Sequence, residues 1–470
     1  MSIGQIAILG AVAVVIGQLK RDRSLALLGV SAFAIYWLQP LQPVVGLTFW
    51  FPLGTLAVTA LAWLLTSAPE KRGWKQNLPA LAVLLGVILL VDLNRYFQFE
   101  SLFTSAAPRP QLVLAGVAIV LALGLVLARI QKFPPSLFVI AGIGLVVVLA
   151  CLKAPSALNA LFAAVSSLWG REVNAAVPLS WLGYSYLSFR LLHTILDRKA
   201  GRLPSVLLAE YVNYVVFFPS FTAGPIDRLE RFVRDLNHPI LLDREGWIDA
   251  GGRLFVGLFK KFVIADALAW VALTDSFAEQ VRSPGWMWVL LYLYSFRIYF
   301  DFSGYTDIAI GLGRLLGVRL SENFASPYLK PNIAQFWNSW HMTLTQWFQS
   351  YFFNPMNRAW RTGNTTLPAW LMILLAQVST MLLIGLWHGL TLGFVLWGLW
   401  HGMGLFVHNR WSEYVKNHPP SRSQTRAGQL VSRYAGVFLT FNFVSIGWLF
   451  FTLPTPAMAW SVLVKMFGAA

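Results

Sequence analysis

Two histidines with tryptophan neighbours are the residues of this sequence best suited to acid–base chemistry. They lie in two short runs, Trp337-Asn338-Ser339-Trp340-His341 and Gly385-Leu386-Trp387-His388-Gly389. Imidazole changes its protonation state near neutral pH, so a positioned histidine can take a proton from a hydroxyl group. His341 and His388 are therefore the predicted catalytic residues.

Both histidines stand in apolar segments that the pattern predicts to be helical. At helical spacing His341 shares a face with Trp337, and Gly389 permits a ligand or another backbone to approach His388 closely. An ionisable group at membrane depth is costly unless it is paired or faces water, which makes each one a functional candidate. The alternative is a neutral core histidine that donates to a neighbouring carbonyl. We favour that alternative for the other five histidines, at positions 193, 238, 401, 408 and 418.

A second polar cluster occupies residues 299–307, where Asp301, Ser303 and Tyr305 are candidates for lining a substrate path. Aspartates and flanking arginines in one apolar segment also fit buried ion pairing, which is the favoured alternative. Glycines follow at positions 311, 313 and 317 with no strand before them. This spacing indicates close helix packing rather than a dinucleotide-binding loop.

The elements that position these residues are predicted to be membrane helices. Of the 470 residues, 57% are hydrophobic and only 12% are charged, whereas soluble domains carry about 25% charged residues. Apolar segments recur almost from end to end, so the sequence predicts one all-α polytopic membrane protein with about 11–13 transmembrane helices.

Two segments are predicted to depart from simple spans. Residues 217–225 are expected to be re-entrant, because one more crossing would move the basic stretch after them to the outer face. Residues 227–247 alternate arginines with apolar side chains, which is typical of an interfacial amphipathic helix.

The charge and cysteine content limits the partners. The net charge of +16 is attributed to cytoplasmic Lys/Arg loops and attraction to anionic membrane lipids, and no nucleic-acid partner is predicted. A single cysteine excludes an internal disulfide and a cysteine metal cluster, and no metal site is predicted.

With these residues in view, the chain resembles the membrane-bound O-acyltransferases. The resemblance is to the bacterial branch of the alginate O-acetylation membrane protein and the teichoic-acid D-alanine transfer protein. It covers roughly residues 180–455, in the segments 182–190, 218–226, 257–266, 298–317, 322–328, 336–348, 385–389 and 397–402. One departure stands out: close relatives usually continue with an Arg-Asp-Tyr stretch after the tryptophan, whereas this chain has Gln349-Ser350-Tyr351.

The resemblance implies the fold and the roles of residues. Residues 171–470 are expected to form the catalytic core, joined in one membrane body with N-terminal transmembrane helices from 1–170. His388 corresponds to the essential histidine and His341 to the second active-site position. The expected substrate-tunnel residues are Trp337, Trp340, Trp387, Asp301, Ser303 and Tyr305. Lys260, Lys261 and Arg253 are expected to meet donor phosphates, with ordinary cytoplasmic anchoring as the alternative.

The activity implied is transfer of an acyl group, with acetyl expected, from a cytosolic thioester to a hydroxyl in the modification of a cell-surface polymer. The donor is acetyl-CoA, another acyl-CoA or an acyl-carrier thioester, and no tightly bound cofactor is expected. A multi-pass protein of the cell membrane is expected to work with a membrane-anchored or extracytoplasmic transferase. D-alanyl and long-chain acyl transfer stay open. Outside the enzyme class, the alternatives are a transporter or flippase and a non-catalytic subunit of a polymer-export complex.

Overall fold

The computed structural model describes residues 1–19, 21–42, 46–97, 107–154, 179–240, 242–363, 366–418 and 425–469, and across these ranges the protein is helical with no β-strand. The first helices are α1 Ile3–Gln18, α2 Arg23–Trp37, α3 Leu47–Thr66, α4 Trp74–Phe97, α5 Pro110–Arg129, α6 Pro135–Lys153, α7 Tyr184–Lys199, α8 Leu208–Val216, α9 Leu229–Asn237 and α10 Arg244–Leu258. They are followed by α11 Asp266–Val271, α12 Asp275–Gln280, α13 Pro284–Leu315, α14 Ile333–Trp337, α15 Met342–Phe348, α16 Asn354–Thr362, α17 Ala369–His388, α18 Leu392–Asn417, α19 Arg426–Thr452 and α20 Pro456–Met466. Two π-helical segments, Phe259–Ala265 and Gln349–Phe353, continue α10 and α15.

Six of these helices, α3, α4, α5, α6, α17 and α19, are long and apolar enough to cross a membrane. In the most apolar stretches of α5 and α6 only 6% of the residues are buried, so these helices present apolar side chains to lipid. The predicted all-α, multi-pass membrane protein is confirmed. The predicted count of 11–13 spans stays a prediction, because α1, α2 and several other helices are shorter than a perpendicular span needs.

The chain divides into two compact units. The first comprises Met1–Leu254 with Ile308–Ser321, and the second comprises Phe255–Asp307 with Glu322–Ala470. The predicted boundary between residues 170 and 171 lies outside the described residues. Every predicted site residue except Arg253 belongs to the second unit.

In the first unit, the segment 217–225 is irregular and deeply buried. Helix α8 ends at Val216, and the guanidinium of Arg190 donates to the carbonyls of Val215 at 3.0 Å and Ser220 at 2.7 Å. A buried guanidinium thus satisfies backbone groups that helix geometry leaves unpaired, which is the condition for irregular backbone at membrane depth. Its predicted re-entrant path stays a prediction.

The prediction of one amphipathic helix over residues 227–247 is wrong, because the structure has two helices there. Helix α9 ends at Asn237, Pro239 lacks a backbone donor, and α10 begins only at Arg244. The predicted amphipathic pattern holds within α9, where Leu229, Phe232 and Leu236 are buried. The predicted close packing at Gly311 is confirmed, since a Cβ there would lie 2.7 Å from Leu254 Cγ.

Candidate active site

His388 is the last residue of α17, and Gly389 follows as the helix cap. A Cβ on Gly389 would lie 2.6 Å from Cε2 of Phe394, so the absence of a side chain lets this ring pack closely. The half-buried imidazole lies 5.9 Å from the Phe394 ring and 4.8 Å from the Phe451 ring, measured between centroids. The close approach predicted at Gly389 therefore exists, and an aromatic side chain makes it.

His341 lies at a break between α14 and α15 rather than inside one helix. Its φ of 44° is in the left-handed region, which costs a non-glycine residue about 1–3 kcal/mol. The prediction that His341 shares a helical face with Trp337 is wrong, because α14 ends at Trp337 and a turn separates it from Met342. The histidine thus caps a new helix instead of projecting from the middle of an old one.

Asn323 holds this break in place and is completely buried. Its backbone carbonyl accepts from the Met342 N–H at 3.0 Å. Its Oδ1 accepts from the N–H of Thr343 at 3.2 Å and from the Thr343 hydroxyl at 2.6 Å. Strained backbone persists where its surroundings over-determine it. Sequence reasoning assigned Asn323 no role, and its only signal was its place in the segment 322–328.

The indole of Trp387 packs against both histidines. Its centroid lies 6.1 Å from the His341 ring and 4.5 Å from the His388 ring. His341 also stands 4.6 Å from the ring of Phe302. Only 3% of His341 is exposed, and neither ring nitrogen has a hydrogen-bond partner among the described residues. We call His341, Trp387 and His388 the histidine site.

The other two predicted tunnel tryptophans have different surroundings. Trp340 is buried in an aromatic cluster, with ring centroids 5.6 Å from Phe336 and 5.3 Å from Trp448. Trp337 lies 5.7 Å from Trp397, whose ring in turn lies 5.7 Å from His388. Trp337 is therefore connected to the histidine site through one indole, whereas Trp340 packs in the core.

His401 is a third histidine beside this site. It is fully buried in α18, with its ring centroid 4.9 Å from Trp397 and 5.2 Å from Trp337. Neither of its ring nitrogens has a partner within the described part of the chain. The sequence favoured a core histidine that donates to a carbonyl, and the structure gives it no such bond.

Both aspartates of α13 are in ion pairs, but the predicted arginine partners are wrong, and the predicted burial is wrong for Asp301, which is exposed. The aspartates pair with consecutive lysines of the π-helical segment, Asp307 with Lys260 at 2.7 Å and Asp301 with Lys261. A Cβ on Gly304 would lie 2.8 Å from the backbone N of Lys261, so the two elements touch there. The two ion pairs depend on this contact between α13 and the π-helical segment. The spacing of residues within either segment does not predict the contact.

The remaining candidates of the second unit lie along the same stretch of α13. Ser303 is 3% exposed, and its hydroxyl has no partner in the described residues, while Tyr305 is half-buried. The tunnel roles of Asp301, Ser303 and Tyr305 stay predictions. Arg253 lies on α10, in the first unit. The phosphate-binding role of Arg253 and the two ion-paired lysines also stays a prediction.

The chain matches the family model described as MBOAT, membrane-bound O-acyltransferase family, over residues 137–453. The chain belongs to the membrane-bound O-acyltransferase family. This confirms the predicted family and the predicted enzyme class, an O-acyltransferase of the membrane. The match begins ahead of the segments that carried the resemblance in the sequence and includes both histidines of the site.

Curated relatives carry out acyl transfer on three polymers, according to their names. The chain is 31% identical to a teichoic acid D-alanyltransferase of Streptococcus thermophilus, over 58% of this chain and 68% of the relative. It is 34% identical to a probable alginate O-acetylase of Pseudomonas aeruginosa, over 61% of this chain and 51% of the relative. It is 35% identical to a peptidoglycan O-acetyltransferase of Helicobacter pylori, over 55% of this chain and 46% of the relative. The chain thus spans about half the length of the two O-acetylating relatives.

Proposed function

We propose that this protein transfers an acetyl group from a cytosolic thioester to a hydroxyl in the modification of a cell-surface polymer. Family membership supports the acyl transfer, and the names of two O-acetylating relatives support acetyl over D-alanyl. The observation that carries the proposal is the histidine site, in which two imidazoles pack against one indole.

His388 is the proposed general base. It is half-buried at a helix end, so a substrate hydroxyl can reach it. As the hydroxyl oxygen attacks the thioester carbonyl, His388 takes the hydroxyl proton. The C–S bond then breaks and the thiolate leaves, taking up that proton, which yields an ester and a free thiol. Base catalysis of this kind contributes about 10²–10⁴-fold.

His341 is the proposed electrostatic partner. Its ring nitrogens have no partner within the described chain, so one N–H can donate to the oxyanion that develops on the carbonyl oxygen. A donor in a water-excluded site contributes about 3–4 kcal/mol to such a transition state. The deep burial of His341 suits that role better than proton exchange with solvent.

The donor and partners complete the proposal. The thioester is acetyl-CoA or an acyl-carrier thioester, and Lys260, Lys261 and Arg253 meet its phosphates, which replace the aspartates now paired with the lysines. Lipids of the cell membrane surround the apolar faces of α5 and α6. A membrane-anchored or extracytoplasmic transferase completes delivery to the polymer.

The test is thiol release from acetyl-CoA by the protein in lipid nanodiscs, with and without a hydroxyl acceptor or partner extract. His388→Ala and His341→Ala are compared with His418→Ala, which removes an exposed imidazole at the end of α18. We expect acceptor-stimulated release in the parent and in His418→Ala, and its loss in His388→Ala. Release that is indifferent to both active-site substitutions contradicts the proposal and favours a non-catalytic subunit.

A further inference from the structure

A cavity of about 200 Å³ lies in the second unit beside the histidine site. Its walls come from α14, α15, the π-helical segment Gln349–Phe353, α17 and α18. Thr345 in its lining lies four residues after His341, and Ile384 lies four residues before His388. The cavity is therefore about one helical turn away from each catalytic candidate.

Every polar side chain that lines this cavity is uncharged. These residues are Asn338, Thr345, Gln349, Gln377 and Thr380, with Trp337 as the indole of the wall. Two of them hold buried groups without a hydrogen-bond partner in the described chain, a donor at Trp337 Nε1 and an acceptor at Gln377 Oε1. Buried polar groups are normally paired, so a donor and an acceptor left over in one cavity wall indicate a ligand with both functions.

The lining residues differ in exposure, so the cavity has an exposed side and a buried side. Asn338 and Gln349 are exposed, whereas Trp337, Met381 and Ile384 are buried. Two amides thus lie on the exposed side of the lining, and an indole with aliphatic side chains lies on its buried side. This arrangement fits a ring that carries hydroxyls at its edge and C–H groups on its faces.

Gln349 is also the first residue of the stretch in which this sequence departs from the pattern of the family it resembles. The structure places that departure in the lining of the cavity. Gln349 carries an amide, so it adds no charge to the lining that could pair with a carboxylate or phosphate.

We propose that this cavity, the Trp337 pocket, binds one uncharged sugar residue of the acceptor, next to the hydroxyl that is acylated. The assignment rests on the proposed acyl transfer. The volume is below the roughly 300–1,000 Å³ of pockets for drug-sized ligands, so a single ring is the appropriate size. A uronate, a phosphate or an ammonium group would lose its hydration without gaining a countercharge from the lining.

The test measures binding directly, using methyl mannopyranoside and its 6-carboxylate counterpart, both radiolabelled, in equilibrium dialysis against the protein in nanodiscs. We expect the parent to bind the neutral glycoside at least tenfold more tightly than the carboxylate. Gln377→Leu and Thr380→Val each weaken binding of the neutral glycoside about threefold to tenfold. Gln349→Arg shifts the preference toward the carboxylate.

The matched control is Gln346→Leu, which alters an exposed glutamine of α15 outside the pocket and leaves glycoside binding unchanged. Equal binding of the two glycosides by the parent, or indifference to all three pocket variants, overturns the pocket. An increase of the acetyl-CoA KM in Gln377→Leu, with glycoside binding intact, assigns the cavity to the donor instead. Pocket-dependent binding without any acyl transfer in the parent would refute the proposed function and leave the binding site standing.

Discussion

Two buried histidines, one in each unit, have opposite surroundings. In the first unit, His193 has its Nε2 3.0 Å from an Asp197 carboxylate oxygen and its Nδ1 3.1 Å from the Tyr214 hydroxyl. In the second unit, His341 lies between aromatic rings, and neither nitrogen has a partner in the described chain. Both side chains are equally inaccessible, with 3% of each residue exposed.

The difference is the one expected between a structural imidazole and an imidazole proposed to act on a substrate. The Tyr214 hydroxyl also lies 2.8 Å from the carbonyl of Asp227, so the imidazole belongs to a connected polar network. Every polar atom of the His193 ring is thus engaged within the protein. A buried polar group without a partner costs about 1–3 kcal/mol. Stability alone therefore does not favour histidine at position 341, and the proposed donation to the oxyanion would give it a role.

The largest expected effect is on turnover when the unpartnered imidazole is removed. We expect His341→Ala to lower kcat about 10²–10³-fold, because the oxyanion loses a donor. His341→Asn recovers part of this rate, since asparagine tolerates the left-handed backbone and its amide can donate. Product ester is measured by mass spectrometry. A His341→Ala protein with parental kcat would remove His341 from the mechanism.

The converse substitution at the partnered histidine is expected to affect stability instead. His193→Leu leaves the buried Asp197 and Tyr214 without the imidazole and is expected to cost about 3 kcal/mol. This is the lower end of the usual range, because Arg202 still pairs with Asp197 at 2.8 Å. Thermal unfolding in detergent measures the loss, and kcat per folded molecule is expected to stay at the parental value. A fall in kcat of His193→Leu, with an unchanged unfolding temperature, would mean that His193 acts in function rather than in stability.

The smallest expected effect concerns Asn323, a positioning residue for His341. Asn323→Ala releases the N–H and hydroxyl of Thr343 and is expected to lower kcat about tenfold through misplacement of the imidazole. Since it acts through His341, its effect should vanish in the His341→Ala background, which a double-mutant cycle measures. Asn332→Ala is the control, because it removes only a helix cap on α14. Additive losses in the cycle would mean that Asn323 acts independently.

Residues with a motif or a periodicity were predictable from the sequence. The family, the all-α membrane class and the two Trp-His runs needed only the order of residues, and the apolar face of α9 followed from its alternation with arginines. The turn before Met342 was not predictable, because the spacing of the apolar residues between Trp337 and Phe348 is compatible with one continuous helix. The bonds from Asn323 to Met342 and Thr343, which fix the chain just after His341, come from a segment about 20 residues earlier.

The polar contacts between helices also could not be predicted from the sequence. The sequence indicated that Asp301 and Asp307 are paired, yet the partners are lysines that lie 40 and 47 residues earlier, in a π-helical segment. The cavity lined by Trp337 likewise gathers residues from five elements, and the sequence singled out only Trp337 and Gln349 among them. Contacts of high sequence separation are set by packing, which local spacing does not encode.

The most direct test of the central claim is chemical rescue at the base position. Formation of acetyl ester is measured for His388→Ala with and without free imidazole in the buffer, since the half-buried site is open to a small base. We predict that the substitution lowers the rate at least about 100-fold and that imidazole restores part of it. Ester formation by His388→Ala at the parental rate, without imidazole, would contradict acyl transfer by the histidine site.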